Sequence, residues 1–216
     1  MARAAFLLLV VAALCAPQDA RAEPRALKFF TDVASTGGAP DRCRPAFTQG
    51  KPSRWQVVAD RDSFGGRAVT EVARDNGFNR YALCINDAYR ATDVDITLRI
   101  KQLTESGDHQ SGIAVRVRDP STYYLAAINP RARKIELSFV VNANRSTIAS
   151  ADVPIAKGFW HALRMRAEGD RLRVFFNGQE VISARNGMIS SAGNVAIWSR
   201  SDTQAQFGDG TIDLLR

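Results

Sequence analysis

The stretch Arg171-Leu-Arg-Val-Phe-Phe-Asn-Gly-Gln-Glu-Val-Ile182 carries the strongest fold signal in this sequence. Its apolar Leu172, Val174 and Phe176 recur at every second position, which is the pattern of a strand with one buried face. Asn177-Gly178 then supplies two residues that tolerate the positive φ angles of a type I′ turn. We therefore predict a tight β-hairpin with strands over residues 171–176 and 179–182.

The same alternation recurs along the chain, and no helical period of useful length accompanies it. Turn-forming pairs such as Asp119-Pro120 and Asn129-Pro130 separate the alternating segments. Roughly a dozen strands joined by short turns predict an all-β fold, a two-sheet antiparallel sandwich or jelly roll. The apolar positions of the other segments are Val94, Ile96, Leu98 and Ile100; Ile113, Val115 and Val117; Ile135, Leu137, Phe139 and Val141; and Leu163 and Met165.

Residues 1–22 have the layout of a secretory signal peptide. Arg3 precedes an apolar run over residues 4–16, and Ala20-Arg-Ala22 places small residues where signal peptidase requires them. The run is shorter than the roughly 20 apolar residues that a membrane span needs. We therefore predict cleavage after Ala22, a periplasmic or secreted location, and no membrane span in the mature chain.

Residues 23–53 are rich in glycine and proline and predict an irregular N-terminal segment, with residues 27–30 as candidates for an edge strand. Cys15 leaves with the signal, so Cys43 and Cys84 remain as an even pair in an exported chain. Such a pair predicts a disulfide, which would pin the irregular segment to an early strand. Residues 54–216 then form a single jelly-roll domain.

The formal net charge of the whole chain is +7, which favours acidic partners such as anionic glycans. The predicted export argues against nucleic acid as a partner. The basic residues are also dispersed, without a Lys/Arg block that has aromatic residues between the charges. We therefore predict a carbohydrate partner, acidic or neutral, and the sequence does not indicate an oligomeric state.

A family resemblance covers the chain from Trp55 to its C-terminus and follows the order of strands and turns. It is carried by Trp55-Gln-Val-Val-Ala-Asp60, Phe78-Asn-Arg-Tyr-Ala-Leu83, Ser111-Gly-Ile-Ala-Val-Arg-Val-Arg-Asp119, Tyr123-Tyr124, Trp160-His-Ala-Leu-Arg164, Gly169-Asp-Arg-Leu-Arg-Val-Phe-Phe-Asn-Gly178 and Gly193-Asn-Val-Ala-Ile-Trp198. These stretches resemble a bacterial concanavalin A-like family, the laminin-G-like domains labelled 3-keto-disaccharide hydrolase or domain of unknown function. The resemblance implies a concanavalin A-like jelly roll, a fold that hosts lectins, glycan-binding modules and glycosidases alike.

Jelly rolls of this family often carry a calcium ion at a sheet edge. No calcium ligand set is readable in this sequence, so we predict no cofactor and no metal site and leave calcium open as an alternative. The family often ends in a Phe-Asp-Asp strand, whereas this chain ends in Phe207-Gly-Asp-Gly-Thr-Ile-Asp-Leu-Leu215. The acidic pair is therefore altered at Asp209 and Asp213.

The sequence leaves open whether the protein is an enzyme. A glycosidase normally needs two carboxyl groups that face one sugar bond. The Glu-x-Asp-x-x-Glu spacing of laminarinase-like enzymes of this fold is absent, and Asp93 and Asp95 share a strand face without a third partner. A glycoside hydrolase of the 3-keto-disaccharide hydrolase type would need an acid/base pair drawn from Asp93, Asp95 or Glu136.

Our leading hypothesis is a carbohydrate-binding module whose concave sheet face holds the ligand. Alternation places Arg116 opposite Val115 and Val117, and it places Trp198 opposite Ile197. Aromatic rings stack on sugars, and Arg or Asn can donate hydrogen bonds to hydroxyls or carboxylates. Each residue also has a structural alternative, as a core ring or an internally paired charge, and a protein-adhesion module is a further alternative. The predicted ligand-binding residues are Arg80, Arg116, Tyr124, Asn129, Trp198 and Arg200.

Overall fold

A computed structural model describes residues 27–30, 35–104 and 109–215 of the chain. These residues form fifteen strands and one short 3₁₀ turn, Phe64–Gly66. No helix in these ranges has the length and apolar character needed to cross a bilayer. The predicted signal peptide over residues 1–22 lies outside the described residues and stays a prediction.

The strands share an antiparallel arrangement and follow one another with few long connections. In chain order they are β1 (Leu27–Lys28), β2 (Arg44–Phe47), β3 (Trp55–Ala59), β4 (Arg67–Glu71), β5 (Tyr81–Ala91), β6 (Val94–Gln102), β7 (Ser111–Asp119), β8 (Thr122–Asn129), β9 (Lys134–Val141), β10 (Asn144–Asp152), β11 (Trp160–Glu168), β12 (Arg171–Phe176), β13 (Gln179–Arg185), β14 (Gly193–Arg200) and β15 (Ala205–Leu214).

The strands assemble into two sheets. The eight-stranded sheet has the order β13-β12-β11-β6-β15-β4-β3, and β1 pairs with β15 beside this path. The seven-stranded sheet has the order β10-β9-β8-β7-β14-β5-β2. This architecture confirms the predicted all-β, two-sheet jelly roll. The sequence-predicted hairpin is also present, because Phe176 pairs with Gln179 across a turn in which Asn177 and Gly178 have φ angles of 49° and 87°.

The main hydrophobic core lies between the two sheets. Alternate residues of each strand enter it, as the period-two pattern predicts, and full burial of such a side chain stabilises the fold by roughly 1.5–3 kcal/mol. The eight-stranded sheet contributes residues such as Ile96 and Leu98, and the seven-stranded sheet contributes residues such as Ile113 and Ile135. This core packs the two sheets against each other and so supports the outward face of each sheet.

A second apolar cluster occupies the opposite side of the seven-stranded sheet, which we name the outer face. All of its members come from that one sheet, and they include the fully buried rings of Trp198 and Tyr123. The Trp198 indole Nε1 donates a hydrogen bond to the Tyr123 hydroxyl oxygen over 3.0 Å. Burial raises the pKa of the Tyr123 hydroxyl, which therefore stays protonated at neutral pH. The outer face is thus a packed, partly aromatic floor.

The N-terminal segment is more regular than its composition predicts. The predicted disulfide is confirmed, because Cys43 and Cys84 are bonded with an S–S distance of 2.01 Å. Directly after Cys43 the chain forms β2, which pairs with β5 at the edge of the seven-stranded sheet. Pro45 lies in this strand, and an edge strand tolerates its missing N–H. Residues 44–47 are therefore a strand, where the sequence predicts a loop.

Candidate functional site

A pocket of about 350 Å³ opens on the outer face of the seven-stranded sheet. Its size is near the lower end of the roughly 300–1,000 Å³ that small-molecule sites occupy. Strands β5, β9, β10 and β14 and the connection before β5 supply its walls. We name it the outer-face pocket, and its lining residues are Phe78, Asn79, Tyr81, Glu136, Asn144, Arg145, Thr147 and Arg200.

Arg145 is held in the pocket by three side chains. Its Nε donates to the Ser138 hydroxyl over 3.0 Å, and its Nη1 donates to the Gln110 side-chain oxygen over 2.5 Å. Its Nη2 donates to the Glu136 carboxylate over 2.8 Å. The guanidinium carbon also lies 5.5 Å from the centre of the Trp198 ring, within cation–π range. These contacts fix the guanidinium plane against the aromatic floor.

Glu136 is held as firmly as Arg145. One of its carboxylate oxygens accepts the Arg145 hydrogen bond, and the other accepts a hydrogen bond from the Asn129 amide over 2.7 Å. Only 9% of the Arg145 side chain and 18% of the Glu136 side chain are exposed. The pair is therefore a preorganised donor and acceptor that a ligand meets without much rearrangement.

The pocket combines two cationic side chains with one anionic side chain. Burial lowers the pKa of the Arg145 guanidinium, the adjacent Glu136 opposes that shift, and repulsion from Arg200 adds to it. A guanidinium remains charged at neutral pH despite such a shift. Arg145 and Arg200 therefore place two positive charges in one pocket, and the Glu136 carboxylate lies beside the first of them.

Phe78 provides an exposed aromatic wall. It is 70% exposed, and the Arg200 guanidinium carbon lies 5.3 Å from its ring centre. The chain at this wall is fixed from the N-terminal segment, because the Thr48 hydroxyl donates to the Asn79 carbonyl over 2.8 Å. The Gln49 side chain donates to the Phe78 carbonyl in the same way. The disulfide-anchored segment thus supports the wall.

Three of the six sequence-predicted residues lie in or directly beneath the outer-face pocket. Arg200 lines it, Asn129 holds Glu136, and Trp198 forms the floor under Arg145. Trp198 points to the outer face as its alternation indicates, but it is fully buried. It therefore acts on the pocket through Arg145, while direct contact with a ligand falls to the lining residues.

Arg116 does not face outward as the alternation of β7 predicts. A β-bulge changes the direction of the strand at this residue, whose φ is 51°, and the register of β7 with both of its neighbours shifts there. The guanidinium is 1% exposed and donates to three backbone carbonyls, those of Thr92, Ile189 and Gly169, over 2.6–2.7 Å. The predicted ligand contact at Arg116 is corrected to a structural role at one end of the sandwich.

Arg80 and Tyr124 also lie in the interior. Both guanidinium Nη atoms of Arg80 donate to the Glu71 carboxylate over 3.2–3.4 Å, and neither side chain is exposed to solvent by more than 1%. The Tyr124 ring belongs to the core between the sheets, and its hydroxyl bonds to Asn186 and Ile189. The predicted ligand contacts at these two positions are therefore corrected to structural contacts.

The predicted acid/base candidates do not form a pair in this pocket. Asp93 accepts hydrogen bonds from Arg116 and from the Gly169 N–H. Asp95 lies in the eight-stranded sheet and forms an ion pair with Arg164. Among the described residues that line the pocket, Glu136 is the single carboxylate. Within residues 27–30, 35–104 and 109–215, no group of three or more His, Cys, Asp or Glu side chains could hold a metal ion.

Six of the eight lining residues were not predicted from the sequence, namely Phe78, Asn79, Tyr81, Asn144, Arg145 and Thr147, and Arg145 and Phe78 are central to the site. Arg145 lies in β10, a strand that the sequence analysis does not predict, and Phe78 lies in a connection where an exposed aromatic has no periodicity to mark it. The pairing of Glu136 with Arg145 depends on β9 and β10 forming a hairpin, in which Val140 lies opposite Arg145. Predicting that hairpin would have identified the centre of the pocket.

The comparison with protein families identifies this domain. The 3-keto-alpha-glucoside-1,2-lyase-like domain matches residues 49–214. The chain belongs to that family. This assignment confirms the resemblance stated from the sequence stretches between Trp55 and the C-terminus, and the outer-face pocket lies wholly within the matched range of this 3-keto-alpha-glucoside-1,2-lyase-like domain. No curated protein matches the chain significantly.

Solved structures of the same fold include a carbohydrate-binding module and a domain in complex with a sugar. The carbohydrate-binding module CBM66 from Bacillus subtilis has a TM-score of 0.61 and 19% identity, covering 78% of this chain and 94% of that one. A Bacillus subtilis protein of unknown function with a galectin-like fold has a TM-score of 0.58 and 9% identity, covering 78% and 88%. Domain 4 of the Geobacillus stearothermophilus arabinanase AbnA, in complex with arabinotriose, has a TM-score of 0.53 and 12% identity, covering 79% and 82%. At sequence identities this low, the structural similarity establishes a shared fold and nothing beyond it.

Proposed function

We propose that this protein is an exported carbohydrate-binding module that holds a neutral or acidic glycan in the outer-face pocket. The observation that carries the proposal is the exposed ring of Phe78 in one pocket with the preorganised Glu136–Arg145 pair. An aromatic wall with fixed hydrogen-bonding groups matches the two halves of a sugar, its apolar face and its hydroxyls.

Each lining group has a defined part in this binding mode. The Phe78 ring stacks on the apolar face of a pyranose and removes it from water. Glu136 accepts hydrogen bonds from hydroxyls, because a carboxylate has about four lone-pair sites and its two described partners use only part of them. Arg200 and Asn144 donate to ring or hydroxyl oxygens. The carbohydrate-binding module and the arabinanase domain of the same fold support a glycan as the ligand class.

A binding screen with matched aromatic variants tests this function. Neutral and acidic oligosaccharides are titrated at up to millimolar concentrations by calorimetry, with the wild-type protein, Phe78→Ala and the control Phe159→Ala. Phe159 is 67% exposed but does not line the pocket. We expect Phe78→Ala to weaken binding by about tenfold or more, since loss of a stacked ring removes on the order of 1.5 kcal/mol of burial. Absence of binding to every saccharide would refute the proposal.

The export part of the proposal has its own test. The apolar run of residues 4–16 and the small residues before Glu23 support cleavage by signal peptidase. Expression of the full chain in a Gram-negative host, followed by fractionation and N-terminal sequencing, should give a periplasmic or secreted protein that begins at Glu23. A cytosolic protein that keeps residues 1–22 would contradict it.

A second candidate function is elimination on a 3-keto glycoside, which the family assignment favours. In such a reaction a base removes the C2 proton, which the adjacent ketone acidifies. The electron pair forms the C1–C2 double bond, the bond from C1 to the leaving oxygen breaks, and that oxygen takes up a proton. One base is sufficient, so the single carboxylate Glu136 could serve where a two-carboxylate glycosidase mechanism lacks its second group.

Turnover of a 3-keto-α-glucoside separates the two candidates. The elimination product is a conjugated enone, which its ultraviolet absorbance reports. The binding-module proposal predicts saturable binding without enone formation. Enone formation by the wild-type protein, lost in Glu136→Gln while saccharide binding persists, would establish the lyase instead.

A further inference from the structure

We infer that Asn76 is a modification site, at which spontaneous deamidation displaces the aromatic wall that carries Phe78. This inference goes beyond glycan binding, because the covalent change requires only the chain itself and water. It is drawn from a comparison of three Asn-Gly pairs that share their chemistry and differ in their surroundings. The pairs are Asn76-Gly77, Asn177-Gly178 and Asn186-Gly187.

The reaction joins an asparagine side chain to the backbone nitrogen that follows it. That nitrogen loses its proton and attacks the side-chain carbonyl carbon, so that a new C–N bond closes a five-membered succinimide ring. The side-chain NH2 takes up a proton and leaves as ammonia. Water then opens the ring at either carbonyl and gives aspartate or isoaspartate. Glycine as the following residue favours the attack, because it has no Cβ to hinder the close approach.

Two of the three pairs hold the asparagine side chain away from this reaction. The Asn177 side-chain oxygen accepts a hydrogen bond from the Ala162 N–H over 2.9 Å, and its side-chain nitrogen lies 3.1 Å from the His161 Nδ1. The Asn186 side-chain oxygen accepts hydrogen bonds from the Tyr124 hydroxyl over 2.8 Å and from the N–H two residues further on over 3.0 Å. These hydrogen bonds must break before either side chain can reach the attacking nitrogen.

The Asn76 side chain lacks such restraints. It is exposed, and no group of the described residues forms a hydrogen bond or ion pair with it. The Gly77 N–H donates to the Asp75 carboxylate over 2.9 Å, so the proton that must leave the nitrogen already has an acceptor. Hydrogen bonds from the N–H groups of Lys51 and Gly77 lower the pKa of Asp75, which is therefore ionised at neutral pH. Asn76 is thus the most reactive of the three asparagines.

The turn around Asn76 positions the wall of the outer-face pocket. The Gly77 carbonyl accepts hydrogen bonds from the Arg80 N–H and from the Ser201 hydroxyl, each over 3.2 Å, and Phe78 follows directly. Isoaspartate at position 76 adds one methylene group to the main chain just before this anchored carbonyl. The hydrogen bonds on the two sides of the extra group cannot all keep their present lengths. Deamidation should therefore shift Phe78 relative to the rest of the pocket.

Peptide mapping by mass spectrometry tests the modification. The folded wild-type protein is incubated at physiological temperature and mildly alkaline pH, and the replacement of NH2 by OH is followed at each of the three asparagines. We expect Asn76 to deamidate at least about tenfold faster than Asn177 and Asn186, a factor that about 1.4 kcal/mol of activation free energy produces. In urea-unfolded protein the difference should disappear, because all three asparagines are then unrestrained and all precede glycine.

A matched variant separates this modification from other changes during incubation. Asn76→Ser removes the reactive amide at an exposed position that has no described partner, and thermal unfolding verifies that the variant is folded. Incubation should shift the NMR signal of the Phe78 amide in the wild-type protein in step with the deamidated fraction and leave it unchanged in Asn76→Ser. The isoaspartate form should also bind glycan about tenfold more weakly or worse, a readout that rests on the proposed function.

The outcomes keep this inference apart from the proposed function. Deamidation of Asn76 that is no faster than that of Asn177 and Asn186 in the folded protein would overturn the modification site and leave glycan binding intact. Fast deamidation with an unchanged Phe78 signal would overturn the effect on the wall. A wild-type protein that binds no saccharide would refute the proposed function, while the mass spectra and the Phe78 signal would still decide this inference. Fast deamidation with a shifted Phe78 signal supports it.

Discussion

Two arginines of this protein lie in the interior and two line the outer-face pocket. The hydrogen-bond partners of the interior guanidinium groups differ in kind from those of Arg145. Arg80 and Arg116 are fully enclosed, and their donors end on backbone carbonyls and on Glu71 or Asp93. Arg145 is bonded to the side chains of Ser138, Gln110 and Glu136, and it still lines a pocket of about 350 Å³. The interior pair thus joins chain segments, whereas Arg145 and Arg200 line the pocket.

This difference shows that the residue type alone does not reveal the role of an arginine in such a sheet. An arginine bonded to backbone carbonyls stabilises the connections that supply those carbonyls. An arginine bonded to side chains on a sheet face is held in place while part of its surface remains available. Substitutions should therefore affect stability alone in the first group and affinity as well in the second.

The largest expected effect is at Arg80. Arg80→Met leaves the Glu71 carboxylate buried, with only the N–H groups of Arg54 and Ala73 as its described partners. Removing one partner of a buried ion pair destabilises a protein by about 3–5 kcal/mol. Urea denaturation should show a loss of this size. The double variant Arg80→Met/Glu71→Leu should regain part of it, since no uncompensated charge remains, and a strictly additive loss would contradict the account.

A somewhat smaller loss is expected at Arg116. Arg116→Met leaves the carbonyls of Thr92, Ile189 and Gly169 without their described donor, at a cost of about 2–3 kcal/mol in unfolding free energy. Arg118→Met serves as the control two residues along β7, because Arg118 is exposed and its loss should change stability by less than about 0.5 kcal/mol. Equal effects of the two substitutions on the denaturation midpoint would remove the distinction between bulged and outward arginines.

A different pattern is expected at Arg145. Arg145→Met keeps most of the side-chain volume over Trp198 but removes the donors to Ser138, Gln110 and Glu136. Unfolding free energy should fall by about 2 kcal/mol, because Ser138 and Gln110 are buried, and glycan affinity measured by calorimetry should also fall by about tenfold or more. A large loss of stability with unchanged affinity would place Arg145 with the interior arginines.

The smallest expected effect is on the acid sensitivity of stability at Asp75, which lies beside Arg80. Hydrogen bonds from the N–H groups of Lys51 and Gly77 lower the pKa of Asp75 below its ordinary 3.8, with Arg80 adding to the effect. A carboxyl whose pKa is lower in the folded state stabilises the fold above its unfolded pKa, and this contribution is lost as pH falls below about 3.8. The midpoint temperature of thermal unfolding should therefore fall less steeply between pH 5 and pH 2 in Asp75→Asn than in the wild-type protein.

The control for this acid series is Asp87→Asn. Asp87 forms an exposed ion pair with Arg44, with half of its side chain in solvent. Exposed pairs contribute little to stability, so this variant should follow the wild-type pH dependence. A shallower fall of the unfolding midpoint at low pH in Asp87→Asn, but not in Asp75→Asn, would contradict the role given to Asp75.

The fold could be predicted from the sequence because its signals are local. The β12–β13 hairpin follows from Asn177-Gly178, the two-sheet sandwich from period-two alternation, and the disulfide from an even pair of cysteines in a chain predicted to be exported. These features depend on backbone geometry and on compartment, which short stretches of sequence encode.

The pocket could be predicted only in part because its determinants break those local patterns. The β9–β10 hairpin turns at Asn142 and Ala143 with φ angles of 52° and 62°, and Ala143 gives no turn signal because a residue with a Cβ rarely adopts positive φ. Arg145 follows this turn and was missed with it. The prediction that Arg116 faces outward was wrong because Arg116 has a positive φ at a bulge, and a bulge shifts a side chain to the opposite face.

The most direct test of the ligand site on the outer face is an NMR titration of isotope-labelled protein with an oligosaccharide that binds. The account predicts chemical-shift changes concentrated at Phe78, Arg145 and Arg200 and at the side chains that hold them, with none at Phe159 or across the outward residues of the eight-stranded sheet. Changes concentrated around Phe159 and that second sheet, with the outer-face pocket unaffected, would contradict the account.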